Sequence, residues 1–237
     1  MILIMKNKIL IFTATYNEVE NIDVFLHKVL NLNIELDILV VDDNSPDGTS
    51  DVVKEFSQNH KNIFLIKREG KLGLDSAHKT GHEFAKSKNY DYLITLDADL
   101  SHDPGVIPKF IDNLDKYPFV IGSRYIPGGK CEISFFRYLL SYVGNKFIKF
   151  VLKINSNEFT TSFRGFNYKL LDKFEINRIS SKGYSFFMET IFQISDLGYQ
   201  IYEIPIHFKP RVKGYSKIPP IEIIRTLKNL FLLRIKK

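Results

Sequence analysis

The chain has 237 residues, 44% of them hydrophobic and 25% charged, a balance that excludes a disordered polypeptide and fits one large domain or a domain with an appendage. Its single cysteine, Cys131, excludes an internal disulfide framework, favours a reducing compartment and reads as a bystander thiol. The formal net charge of +6 is concentrated at the end of the chain, where the residues from Pro205 onward hold nine Lys or Arg against one acid, Glu222. That pattern calls for an anionic partner: a phosphate, a nucleic acid or a lipid headgroup.

In chain order, the apolar start MILIMKNKIL is interrupted by Lys6 and Lys8 before a secretory leader could develop, and reads as a first buried strand. No apolar run approaches the ~20 residues needed to span a bilayer, so the expectation is a soluble or peripheral cytoplasmic protein. Strands are predicted at Lys8–Ala14, Asp37–Val41, Ile63–Lys67, Tyr92–Leu96 and Phe119–Ser123. Helices are predicted between them, at Asn21–Leu30, Ser50–Gln58, Asp75–Lys88 and Pro104–Leu114, the last opened by Asp103 as N-cap and Pro104 at the first helical position. This alternation predicts an α/β fold with a mostly parallel sheet covered by helices, and ligands on such sheets sit at the carboxyl ends of the strands.

The second half breaks the rhythm. Phe135–Ile154 reads as a long aromatic helix with Leu139, Val143, Phe147, Phe150 and Ile154 in one stripe and Lys146, Lys149 and Lys153 around it. Gln200–Phe208 reads as a further strand, and Ile221–Ile235 as an amphipathic helix with Ile221, Ile224, Leu227, Phe231 and Ile235 on one face. Basic helices with aromatic faces suit a membrane surface, while packing on the sheet is the plainer alternative for both.

Four strand ends are unusually polar: Thr15-Tyr16-Asn17-Glu18, Asp42 to Thr49, Asp97 to Pro104, and Gly122-Ser123-Arg124-Tyr125. Asp97 and Asp99 are the candidate ligands for a divalent metal. Residues i and i+2 of an extended chain face one side, and hard carboxylate oxygens suit Mg²⁺ or Mn²⁺ completed by substrate phosphates. Such pairs also arise by chance, but Asp97 ends an apolar strand, where desolvated charge needs a reason. In Asp42–Thr49, turn chemistry accounts for Pro46 and Gly48, and Thr49 could cap the next helix. Asp43 is left as a candidate for hydroxyl or base recognition. Neither G-x-G-x-x-G after the first strand nor G-x-x-x-x-G-K-[ST] is present, which counts against dinucleotide oxidoreductases and P-loop hydrolases.

Together, TYNE, DDNSPDGT, LDADLSHDP, GSRY, SFR, KGYSFFMET and EIPIHFKPRVKGYSK, in that order, resemble the dolichol-phosphate mannosyltransferase group of family 2 glycosyltransferases over nearly the whole chain. The resemblance implies a GT-A-type fold. It implies that residues 1–210 form the transferase domain, with a donor half to about residue 125 and an acceptor half after it, and that residues 211–237 form a basic amphipathic extension. Ala14, Tyr16, Glu18, Val41 and Asp43 would hold the donor nucleoside. Asp97 and Asp99 would hold the metal on the donor diphosphate, with Ala98 also in contact, and Arg124, Arg211 and Lys217 would neutralise phosphates, so that Asp99, Arg124, Arg211 and Lys217 carry catalysis. Arg137 and Ser141, one helical turn apart, would meet the acceptor phosphate. Departures from the group's pattern stand at Ala14, at Asp75-Ser76, at Ser101 and at Gly165.

The reaction implied is inverting transfer of a hexose, most simply mannose from GDP-mannose, to a polyprenyl phosphate at the membrane, with a membrane-anchoring partner subunit as a possible companion. A phosphate monoester with a second pKa of ≈ 6 is already an anionic nucleophile, so no protein base is required. His102 reads as a loop residue, and Glu189 as one with a structural or site-ordering partner. Three rivals stay open: a transferase with another donor such as UDP-glucose or a non-lipid acceptor, a nucleic-acid-binding protein, and a non-catalytic partner subunit. No nucleic-acid recognition motif is found, and the acidic strand ends would repel a phosphate backbone, so nucleic acid is not the expected partner.

Overall fold

The computed structural model describes residues 7–211 and 221–236. Four short, nearly wholly apolar segments, β1 (Ile9–Thr15), β2 (Asp37–Asp42), β3 (Ile63–Lys67) and β4 (Tyr92–Thr95), pair in parallel. They can carry apolar residues on both faces because helices cover both. β5 (Phe119–Ser123), β7 (Arg164–Asn167) and β8 (Ile201–Pro205) extend the sheet to seven strands in the order β3-β2-β1-β4-β7-β5-β8. The sheet is therefore mostly parallel, as expected. β7 is the exception, running antiparallel to both β4 and β5.

On one face lie α1 (Val19–Leu30), α2 (Thr49–Asn59) and α4 (Ile107–Leu114), whose Phe25, Leu26, Val53 and Phe110 meet Ile11, Ile38 and Ile94 of the strands. On the other lie α3 (Leu74–Ser87), α5 (Phe135–Leu152) and α6 (Ser185–Asp196), with α7 (Ile221–Lys236) placed against α5 and α6. The Asp103 cap forms, its carboxylate accepting from Gly105 N–H at 3.0 Å, but the first turn it opens is a 3₁₀ turn, Pro104–Val106, ahead of α4.

The segment read as one strand at Gln200–Phe208 is divided. β8 joins the main sheet, and β9 (His207–Phe208) pairs with β6 (Lys130–Cys131) as a small second sheet. α5 ends at Leu152, so Ile154 leaves the predicted stripe and is buried in the core. The remaining stripe residues Leu139, Val143, Phe147 and Phe150 are 41–79% exposed, while the helix buries Asn145, Ile148 and Leu152 instead. In α7, Ile224, Leu227, Phe231 and Ile235 are likewise exposed, and Leu230 and Leu233 face inward. The apolar faces read from the sequence are thus the outer faces of these helices. No helix among the described residues is long and apolar enough to cross a membrane.

Candidate active site

The parallel strands deliver their carboxyl ends to one edge, and the first two loops there are fastened to each other. Asn17 and Asn44 follow β1 and β2 with φ of 56° and 57°, a left-handed conformation that Asn tolerates better than most residues. Asp42, fully buried, accepts from Thr15 Oγ1 (2.8 Å), Ser45 N–H (2.9 Å) and Ser50 Oγ (2.6 Å). Ser45 Oγ receives Asn17 N–H, Thr49 Oγ1 receives Glu18 N–H, and Asp47 receives Val19 N–H and Thr49 Oγ1. Most of the DDNSPDGT run is therefore spent on shaping the loop that presents Tyr16 and Glu18. Thr49 opens α2 but caps nothing; Gly48, with φ of 94°, precedes the helix.

Asp43, left over by that accounting, is ion-paired with Arg68, a residue at the end of β3 that the sequence did not single out. Arg68 also donates to Ser76 Oγ (2.5 Å) and Gly73 C=O (3.0 Å), and Asp43 accepts from Gly73 N–H (3.2 Å). Lys71 stands 4.1 Å over the Tyr16 ring, a cation–π placement. Val41 lies in the core beneath, and the partly buried Ala14 packs against it, near the ends of β2 and β1. Asp75, a departure in the family pattern, accepts from Gly183 N–H at 3.0 Å and so ties the start of α3 to the loop before α6.

Asp97 and Asp99 follow β4 in a turn rather than on extended chain, which corrects the i, i+2 argument. Leu100, with φ of 63°, bends the chain so that Ser101 N–H bonds Asp99 Oδ1 at 2.9 Å. The two carboxylates nevertheless act on each other: partial desolvation and, next, the Asp99 charge raise the Asp97 carboxyl above the ordinary carboxylate range, although its side chain is 41% exposed, against the pull of Ser162, Arg211 and Arg124. Arg211 Nε lies 2.9 Å from Asp99 Oδ2, and its Nη1 lies 3.3 Å from Glu18 Oε1. A side-chain cation thus joins the acids of the first and fourth strand ends. The backbone holds it there, since Lys209 N–H bonds Ser101 C=O at 3.1 Å. Lys217 lies outside the described residues.

His102 is buried beneath these acids. Its Nε2 is 3.1 Å from Thr161 Oγ1, and its Nδ1 is 3.7 Å from Asp97 Oδ2 and has no hydrogen-bond partner. Burial, outweighing the attraction of Asp99, brings its pKa down to about 4, so it is neutral. The loop reading of His102 holds for its backbone, but its side chain is part of the floor of the site.

Arg124, at the end of β5, is held by a residue the sequence did not reveal. Its Nε and Nη2 each lie 2.7 Å from an oxygen of the fully buried Glu158, and Nη2 also donates to Thr160 Oγ1 at 2.8 Å. Phe208 and Tyr125 flank the guanidinium at 5.3 and 5.0 Å. Despite burial, Glu158 holds Arg124 firmly in its charged form. Glu158 reaches the site because β7 runs antiparallel, which returns the 158–162 loop to the edge where the parallel strands end.

Next to Arg124, Tyr125 Oη donates to Ser141 Oγ at 2.7 Å, linking the fifth strand end to α5. Arg137 lies one turn before Ser141 and is exposed. Glu189 has an ordering role: it accepts from Ser180 N–H (3.2 Å) and Ser181 N–H (2.7 Å). Tyr184, which the sequence did not single out, has its phenol held above the ordinary range by burial and by the charges of Asp97 and Asp99. Cys131 is half-buried and its thiol is raised by burial, consistent with a bystander. At Gly165 an added Cβ would meet Leu114 at 2.9 Å, which accounts for that departure from the pattern.

The two adjacent carboxylates fit a divalent cation. No group of three or more His, Cys, Asp or Glu among the described residues could hold a metal by protein ligands alone. That suits a cation completed by a substrate diphosphate rather than a closed protein cage, and the position of Arg211 on Asp99 shows that the site already attracts positive charge.

Residues 10–174 match the model of glycosyl transferase family 2, and the chain belongs to that family. It is 34% identical over 212 residues to the undecaprenyl-phosphate mannosyltransferase of Micrococcus luteus, covering 89% of this chain and 87% of that protein. It is 32% identical to the polyprenol monophosphomannose synthase of Mycolicibacterium smegmatis, covering 88% of this chain and 80% of that one. Among solved structures, a Pyrobaculum calidifontis mannosyltransferase in complex with GDP-Man and Mn²⁺ superposes with a TM-score of 0.62 at 17% identity, covering 98% of this chain and 66% of that one. Glucosyl-3-phosphoglycerate synthase from Mycobacterium tuberculosis superposes at 0.67 and 13% identity, covering 97% and 79%. These likenesses establish the GT-A-type fold.

Proposed function

We propose that the protein transfers mannose from GDP-mannose to a polyprenyl phosphate at a membrane surface, with inversion at the anomeric carbon. The observation that carries the reading is the convergence of Glu18, Asp97, Asp99 and Arg211 at one sheet edge, with Arg124 beside them. The two mannosyltransferase relatives, matched over nearly nine-tenths of the chain, supply the sugar and the acceptor class.

In this reading Tyr16, Glu18 and Asp43 receive the nucleoside, on loops already tied together by Asp42, Ser45 and Asp47. Asp97 and Asp99 would hold Mg²⁺ or Mn²⁺, which would supply Lewis-acid charge for the departing diphosphate. Arg211 exchanges its carboxylate partners for phosphate oxygens, and Lys217 acts with it. Arg124, fixed by Glu158, contributes positive charge that needs no reorganisation during the reaction. Arg137 and Ser141 receive the acceptor phosphate, and the exposed apolar faces of α5 and α7 rest on the bilayer that holds its prenyl chain. The acceptor is its own nucleophile, and His102 remains a neutral floor residue.

The reading is tested by thermal shift with a panel of nucleotide sugars, each with and without Mn²⁺, since a ligand bound only to the folded state raises its stability. GDP-mannose should raise Tm in the presence of Mn²⁺ and far less in its absence. A metal-dependent shift with UDP-glucose and none with GDP-mannose would overturn the sugar assignment, and no shift with any donor would overturn the enzyme reading.

A further inference from the structure

A groove of about 540 Å³, lined by none of the strand-end residues, lies between the segment before α6 and α7. Ser181 and Lys182 form one wall, and Ile224, Arg225, Lys228 and Leu232 form the other. Lys182, Arg225 and Lys228 are all exposed. The two acids near the groove are already engaged, and Glu222 takes Arg225, one of the groove's own cations, as its partner. Glu222 is 6% exposed, with one oxygen on Tyr184 N–H and the other on Arg225, and Glu189 is buried on the amides of Ser180 and Ser181. What faces the groove is therefore a set of cations and hydroxyl donors edged with apolar side chains.

The setting narrows the ligand. The same helix exposes Ile224 (64%), Phe231 (53%) and Ile235 (82%), and the neighbouring α5 exposes Phe135, Phe136 and Phe150 without a single acidic residue in its length. Apolar side chains at acyl depth with lysines and an arginine beside them match an interfacial surface on an anionic leaflet. Two exposed Lys point charges suit phosphate oxygens, with Arg225, paired to Glu222, beside them. From this combination we infer that the groove binds the headgroup of an anionic phospholipid, at a site separate from the one that receives the acceptor phosphate. The inference rests on the membrane reading above and adds to it a specific lipid class and a specific place.

The test is flotation with vesicles of phosphatidylcholine alone and of phosphatidylcholine with 30% phosphatidylglycerol, at one fixed salt concentration. The proteins compared are the wild type, Lys182→Gln/Lys228→Gln, Phe231→Ser/Ile235→Ser, and a charge-matched control, Lys54→Gln/Lys61→Gln, on α2 and the loop after it. Each cation near an anionic surface is worth about fivefold in partition. The groove variant should therefore bind the phosphatidylglycerol vesicles roughly 25-fold more weakly, with binding to phosphatidylcholine unchanged and the control pair within about twofold of wild type. A groove variant no weaker than the control pair, while the apolar variant loses binding, would overturn the groove and leave the membrane reading standing. Wild-type protein that floats with neither vesicle would overturn both.

Discussion

The donor edge of the sheet and the outer face of α5 and α7 treat their side chains in opposite ways. At the edge, charged groups are paired and buried or half-buried: Asp43 with Arg68, Arg124 with Glu158, and Arg211 with Asp99 and Glu18. On the helices, apolar groups are exposed and cations surround them. Both are costly in water, because buried charge needs a partner and a broad apolar face marks an interaction surface. In the proposed reading, the fixed electrostatics serve the nucleotide end of the reaction and the adaptable surface the lipid end.

The largest expected effect comes from breaking the edge at its centre. Asp99→Ala should lower transfer by about 10³-fold or more, on the scale of losing a preorganised electrostatic contact, while the apo protein keeps its circular dichroism and a Tm within a few degrees of wild type. Near-normal turnover would remove Asp99 from the metal site. Glu158 should behave differently. Its removal leaves Arg124 buried without a counter-ion, so Glu158→Ala should cost about 3–5 kcal/mol in urea unfolding, a loss that Asp99→Ala does not share. Comparable stability losses in the two variants would erase the distinction between a site carboxylate and a scaffold carboxylate.

A smaller effect belongs to the core beneath the edge. Burial and, next, Arg164 bring the pKa of His78 down to about 3, and burial with His78, Lys86 and Arg164 holds His82 well below its ordinary value of 6.5. Both are neutral when folded and gain a proton on unfolding in acid. Their contribution is therefore complete above about pH 6.5 and is lost as the pH falls below it, by about 1.4 kcal/mol per pH unit for each histidine. Urea unfolding between pH 7.5 and 5 should show that fall together with the share of His102, and His78→Leu should make it shallower by about the share of one histidine. An unchanged slope would show that His78 does not bind a proton on unfolding.

Much of this was readable in the chain itself. The runs at β1 to β5 are apolar on both faces and bounded by turn residues, so strand–helix alternation and the location of the polar strand ends followed directly. β7 was not readable because Arg-Gly-Phe-Asn has no strand signature: Arg164 is buried only because its guanidinium finds the carbonyls of Thr161, Phe187 and Phe159, a solution available only in the folded chain. Without β7 there was no way to bring the 158–162 loop to the site, so Glu158 remained a lone acid in a polar stretch. Arg68 was hidden for a similar reason, since its partner Asp43 is 25 residues away, just past the end of the adjacent strand. Asp97 and Asp99 were legible from their position after an apolar strand, although the turn that presents them was not.

The most direct test of the central claim is transfer of radiolabelled mannose from GDP-mannose into an organic-extractable polyprenyl phosphate, with Mn²⁺ and then with excess chelator. The account requires labelled lipid with Mn²⁺, its loss on chelation, and its return when Mn²⁺ is restored. Transfer that is indifferent to chelator, or label that appears only in a water-soluble product, would contradict it.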